Sequence, residues 1–150
     1  SWISDRIMLS LASESAGGAS TILEKTVAYT KERVQFGKTI ASYQAIKHKC
    51  ADLLTQVESA KTLTYYAAWA LSDAGLDSSD EASIAAAMAK SYTTDAYKTC
   101  TAEAIQTHGA IGFTWEMPIH LYYKRARANA ISIATSNQLR DNLIQKVVAA

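Results

Sequence analysis

Between Gly37 and Gly75, and again between Gly75 and Gly109, this chain contains neither glycine nor proline. Runs of that length, with apolar residues recurring every third or fourth position, fold as long helices that pack along one stripe. The first run carries Ile46, Cys50, Leu53, Val57, Ala60, Thr64, Ala67 and Leu71. This predicts a helix from about residue 42 to 73, with Gly75 as its C-cap. After a short surface loop, Ser79 or Asp80 is the expected N-cap of the next helix. That helix carries Ile84, Ala87, Met88, Ser91, Ala96 and Ile105, and its alanine-rich inward face implies close approach of its neighbours.

Upstream, residues 3–30 read as a first long helix with Asp5, Met8, Ala12, Ala16, Ala19, Leu23 and Val27 on its stripe. Gly17-Gly18 in its middle costs about 1 kcal/mol per glycine relative to alanine, so tight packing against a neighbour is the expected compensation. Gly37 breaks the chain before the second helix. Downstream, residues 109–113 read as a turn, and Pro118 as part of the first turn of a helix through Tyr122, Ala126 and Ala130. Asn137 is the candidate cap of a final segment whose Leu139, Leu143, Ile144 and Val147 face inward. No strand is required. The expected fold is all-α: an antiparallel four-helix bundle with short additional C-terminal helices, forming one domain over residues 1–150.

Composition excludes several functions. Lys+Arg 15 against Asp+Glu 14 leaves a formal net charge of +1, which suits neither a polybasic nucleic-acid footprint nor an acidic tail. The local basic run Lys124-Arg125-Arg127 beside Tyr122 and Tyr123 therefore reads as a solvated or ion-paired face. Cys50 and Cys100 are too few for a disulfide framework and read as reduced packing residues of a cytoplasmic protein. No apolar run is long enough to span a bilayer. His48, His108 and His120 are far apart and outside any HExxH or Glu-x-x-His pattern, so no metal site is expected. The chain opens Ser1-Trp2-Ile3 without an initiator methionine, and the expectation is a piece of something longer.

Two polar clusters sit at breaks between helices. Glu32-Arg33-Val34-Gln35-Phe36-Gly37-Lys38, followed by Gln44, places an arginine, amides and an aromatic around a glycine turn, a set able to hold a phosphate and a ring. By composition alone it equally describes an ordinary interhelical loop. In Gln106-Thr107-His108-Gly109-Ala110-Ile111-Gly112-Phe113, two glycines either admit a ligand to the backbone or simply end a helix. Asp5 is an acid on an apolar stripe, which must find a partner, stay protonated or lie near solvent.

The first cluster, extended through Thr39-Ile40 to Gln44-Ala45-Ile46, resembles the ER-x-QFG-x-x-I…Q signature of acyl-CoA dehydrogenases. The second, extended through Thr114-Trp115-Glu116, resembles their Q-x-HGG-x-GF-x-x-E signature, and His120-Leu121-Tyr122-Tyr123-Lys124-Arg125-Ala126 is similar to the stretch that follows it, especially in actinobacterial members. The resemblance covers essentially the whole chain and corresponds to the family's C-terminal helical domain, without the N-terminal helical and middle β domains. It implies a flavoenzyme that oxidises an acyl-CoA thioester and passes electrons to an electron-transferring flavoprotein. It also implies an FAD whose ADP half reaches a neighbouring subunit of a homo-oligomer or of a heteromer with a partner subunit.

Carried over residue by residue, the resemblance gives Arg33 the FAD pyrophosphate and Phe36 the adenine side, with Gln35 and Gln44 bonding in that region. Gln106, Gly109 and Gly112 approach the ADP part, and Thr135 and Asn137 match a Thr-x-Gln flavin contact, with asparagine in place of glutamine. There are departures. Ala110 stands where glycine is usual, and Ile133 stands where most members keep the catalytic glutamate. A minority keep that base on the first helix of this domain, just before an arginine, and this position matches Asp5, followed by Arg6. The alternatives are a catalytically silent partner subunit of a heteromeric dehydrogenase, or a generic helical interaction module. As a fragment without the middle domain, the chain is expected to be inactive and to hold no stable FAD.

Overall fold

The computed structural model describes residues 2–72 and 79–148; Gly75 and the first part of the loop expected at residues 76–80 lie outside them. The described residues form five α-helices: α1 (Trp2–Glu32), α2 (Gln44–Ala70), α3 (Ser79–His108), α4 (Ile119–Ile131) and α5 (Ser136–Val148). The helix starts and ends fall close to the predicted breaks, because those breaks are where the chain loses its helical stripe. Helix α2 stops at Ala70, a few residues short of the predicted end, and α3 already includes Ser79 and Asp80, so neither of these caps it from outside.

Small residues set how the helices meet. Ala12 of α1, Ala67 and Ala70 of α2, and Ala82, Ala85 and Ala89 of α3 form one cluster. Ala16, Ala60 and Ala96 form the next. Further along, Ala19, Ile22 and Leu23 meet Leu53 and Val57, with Tyr97, Cys100 and Ala104 from α3. This order runs α2 antiparallel to both α1 and α3. Ile119 and Ala126 join the same end of the core, and Leu139 of α5 packs on Met8, Ala86 and Ala87 at the other. Helices α4 and α5 thus descend together alongside α3 as a broken fourth column of the expected bundle. Helix α3 is central and buried on most sides, which is why its apolar residues do not confine themselves to one stripe. Its buried threonines, Thr93, Thr94 and Thr101, satisfy their hydroxyls by donating to carbonyls three or four residues back.

Several expectations are corrected. Met88 and Ile144 are exposed, and the side chain of Val147 lies outside the described set. Asn137 is not the cap of α5. Thr135 is: Gln138 N–H donates to Thr135 Oγ1 (3.4 Å) and Thr135 N–H donates back to Gln138 Oε1 (2.9 Å), a capping box legible as Thr-x-x-Gln. Pro118 stands just before α4 as its N-cap. Residues Gly109–Phe113, expected as a turn, form a short 3-10 helix. The two central glycines of α1 differ: a Cβ on Gly18 would fall 2.5 Å from the Tyr97 ring, whereas one on Gly17 would meet nothing. Close packing therefore accounts for Gly18 alone. The basic run is ion-paired: Arg125 Nε and Nη2 donate to both carboxylate oxygens of Glu14 (2.5 and 2.8 Å). Among the described residues no helix is long and apolar enough to cross a membrane.

Candidate functional site

The chain leaves α1 at Glu32 and must reverse before α2 begins. It does so through an antiparallel hairpin of two-residue strands, β1 (Val34–Gln35) and β2 (Lys38–Thr39), the strands that the helical pattern concealed. Phe36 and Gly37 form its two-residue loop, with φ of +53° and +78°. Positive φ at both loop residues matches the twist of the strands, and glycine takes it freely but phenylalanine at a strain of about 1–3 kcal/mol. The strained turn holds the Phe36 ring outward, 93% exposed. Tyr43 braces it from behind, its hydroxyl donating to Gln35 O (3.1 Å) and its ring lying 4.3 Å from Lys38 Nζ.

The end of α3 arrives beside this hairpin. His108 is buried, its ring stacked on Tyr29 of α1 at 4.1 Å, and its Nδ1 lies 2.7 Å from Ala104 O. That contact places the proton on Nδ1. Gly109 then ends α3 at φ +67°, a conformation that favours glycine. Both signature segments line one cleft of about 620 Å³: Arg33, Gln35 and Phe36 from the first, Gln106, Gly109 and Ala110 from the second. Sequence reasoning did not assign Tyr29, Tyr43, Lys49 and His108, which also line it. Tyr29 had a usable signal, since it lies one helical turn before Arg33.

Other expected site residues lie elsewhere. Gln44 is exposed at the start of α2, its Oε1 3.0 Å from His48 Nε2. Gly112 is buried against the last turn of α3, where a Cβ would come 3.2 Å from Ile105 O. Thr135 and Asn137 line a second cavity of about 400 Å³, at the α4–α5 joint, with Asp95, Lys98 and Arg127. Burial opposes the ionisation of Asp95. Hydrogen bonds from Lys98, Ser136 and Arg140 outweigh it and hold the carboxyl below its usual range. Asp5 is buried between α1 and α3, 6% exposed, and accepts a hydrogen bond from Ser83 Oγ (2.8 Å). Among the described residues no group of three or more His, Cys, Asp and Glu could hold a metal ion.

The cleft's chemistry suits a phosphate joined to an aromatic ring. Lys49 is paired with Glu103 (2.5 Å), whereas the exposed Arg33 has no acidic partner among the described residues. Exposed and half-buried rings of Phe36, Tyr43 and Tyr29 surround it.

Residues 5–148 match the family described as "Acyl-CoA dehydrogenase, C-terminal domain". The chain belongs to the acyl-CoA dehydrogenase family. Acyl-CoA dehydrogenase IpdE2 of Mycolicibacterium smegmatis is 42% identical over 129 residues, 85% of this chain and 38% of that protein. The caffeyl-CoA reductase-Etf complex subunit CarC of Acetobacterium woodii is 38% identical over 85% of this chain and 32% of its own length. A solved Tcur3481-Tcur3483 steroid ACAD superposes with a TM-score of 0.91 at 27% identity, over 99% of this chain and 41% of that one. This acyl-CoA dehydrogenase domain thus spans well under half the length of these relatives.

Burial pushes the His108 imidazole below its ordinary value, so the folded domain holds the ring neutral while the unfolded chain protonates it near pH 6.5. Between those values the unfolded state binds more protons, so this contribution to stability is complete above about pH 6.5 and is lost as pH falls below it. Urea midpoints measured from pH 7.5 to 5 should therefore decline, and His108→Gln should flatten that decline. An unchanged slope in the variant would assign the acid sensitivity to other groups.

Proposed function

We propose that this chain is the C-terminal, FAD-holding and oligomerisation domain of a flavoenzyme that α,β-dehydrogenates an acyl-CoA thioester and hands the electrons to an electron-transferring flavoprotein. One observation carries the reading. Two signature segments, one starting at Glu32 and the other at Gln106, meet in one cleft where Arg33, without an acidic partner among the described residues, and a strained, outward Phe36 stand together. In this reading Arg33 holds the pyrophosphate, Phe36 lies on the adenine side, and Gln35, Gln106 and Gly109 line the ADP part, with Gln44 and Gly112 supporting the same region. Thr135 and Asn137 meet the flavin at the α4–α5 joint.

When bound, the flavin supplies the acceptor for a β-hydride. The residue of this chain proposed to take the α-proton is Asp5, since isoleucine at position 133 cannot do so. The electron-transfer partner is supported by likeness to a subunit of an Etf-containing complex, and a bulky acyl group by likeness to a steroid ACAD. A second reading, a catalytically silent partner subunit, is favoured by Ile133 together with the burial of Asp5 against Ser83. The test is made on the full-length protein purified alone. One FAD per protomer that bleaches anaerobically with an acyl-CoA thioester supports the first reading, and bound FAD that bleaches only with a second subunit present supports the second. A folded protein without flavin overturns both.

A further inference from the structure

Lys90 heads the fully buried side chains of the described residues. A lysine sealed inside alanine-rich helices is unfavourable unless its ammonium finds acceptors. Here Nζ donates to Ala130 O (3.1 Å) and to Ala134 O. These carbonyls bracket the break in the fourth column, one at the end of α4 and one just before the capping box of α5. Between them Ala134 N–H donates to Ser132 O (2.8 Å) across Ile133, whose φ is +66°. That is a γ-turn of the strained hand, and a β-branched residue at its centre is a genuine outlier. The side chain of Ile133 is held outward, 54% exposed, so its own burial does not repay the strain.

A bundle needs no such turn merely to pass from one helix to the next. Something must hold it, and among the described residues the cation that reaches both of its flanks from α3 is Lys90. We propose that Lys90 is a positioning residue: its ammonium clamps the Ala130 and Ala134 carbonyls, keeps the strained turn at Ile133 closed, and so sets how Thr135 meets the flavin. The last clause rests on the function proposed above; the clamp rests on the geometry of the joint alone.

The experiment uses the full-length flavoprotein and residue-resolved amide hydrogen exchange. Lys90→Met keeps the length of the side chain and removes its donors. It is expected to speed exchange at Ala134 and Thr135 by about tenfold or more and FAD release by a similar factor, while exchange in the α1 core around residues 12–23 stays unchanged. Glycine takes φ +66° without strain, so in an Ile133→Gly background the effect of Lys90→Met should shrink severalfold. Unchanged exchange at the joint, acceleration spread evenly over the bundle, or equal effects in both backgrounds would each overturn the clamp. Should Lys90→Met fail to fold, Lys90→Gln, which removes the charge and shortens the reach but keeps an amide NH2, is judged by the same outcomes. If the wild-type protein carries no flavin, the functional reading fails, and the exchange measurements still decide the clamp.

Discussion

Asp5→Asn in the full-length protein is expected to keep its flavin and its affinity for acyl-CoA, yet to reduce that flavin at least about a hundredfold more slowly, the scale of a lost general base. The structure gives this a spatial basis. Asp5 lies one turn before Met8, and Met8 packs in the cluster that holds Leu139 and, at its edge, Ala134. The turn of α1 that follows Asp5 and the residue that follows Ile133 thus border the same cluster, although they lie at opposite ends of the sequence. In the proposed reading, Asp5 supplies the base that Ile133 does not. Asparagine preserves the shape at Asp5 and can still accept from Ser83, so folding should be little changed while proton abstraction is lost. Asp5→Glu, which restores the reach usual in the family, should retain activity. Single-turnover flavin reduction under anaerobic conditions decides it. Equal rates for wild type and Asp5→Asn would remove Asp5 from the mechanism and leave the partner-subunit reading.

Arg33→Met should weaken FAD binding by about tenfold to a hundredfold, the worth of a hydrogen bond to a charged group. Phe36→Gly is the more telling variant, because its two effects have opposite signs. Glycine relieves the positive φ of the hairpin loop, so the apo protein should be as stable as wild type or more so. The ring that would lie on the adenine side is gone, so FAD affinity should fall. Titration of deflavinated full-length protein with FAD, alongside urea unfolding of the apo form, reads both quantities. FAD affinity unchanged in Arg33→Met and Phe36→Gly alike would show that the cleft is not where the ADP portion sits.

Much of this was legible because helix formation obeys local rules. Glycine and proline positions delimit the helices, and spacing of three and four marks the residues that face inward on α1 and α2. The hairpin at residues 34–39 escaped the same reasoning. Its strands are two residues long, too short to show alternation, and its loop places phenylalanine where a positive φ would predict asparagine or glycine. The cap of α5 is hidden for a different reason: Asn137 is a good capping residue by type, whereas Thr135 with Gln138 forms the reciprocal pair.

The family signatures, and with them the candidate residues Arg33, Phe36 and Gln106, were written in the order of the chain. What the sequence alone determined was which segments are helical, where they stop, and which residue types stand at the stops, since each of these depends on neighbours a few positions away. Only the tertiary structure decided which stops face one another. It joined the ends of α1 and α3 into one cleft, set Thr135 and Asn137 apart at the α4–α5 joint, and sealed Lys90 beneath the Ile133 turn. Those choices follow from how alanine-lined helices slide into register, a matter of contacts between residues far apart in sequence, on which local periodicity carries no information.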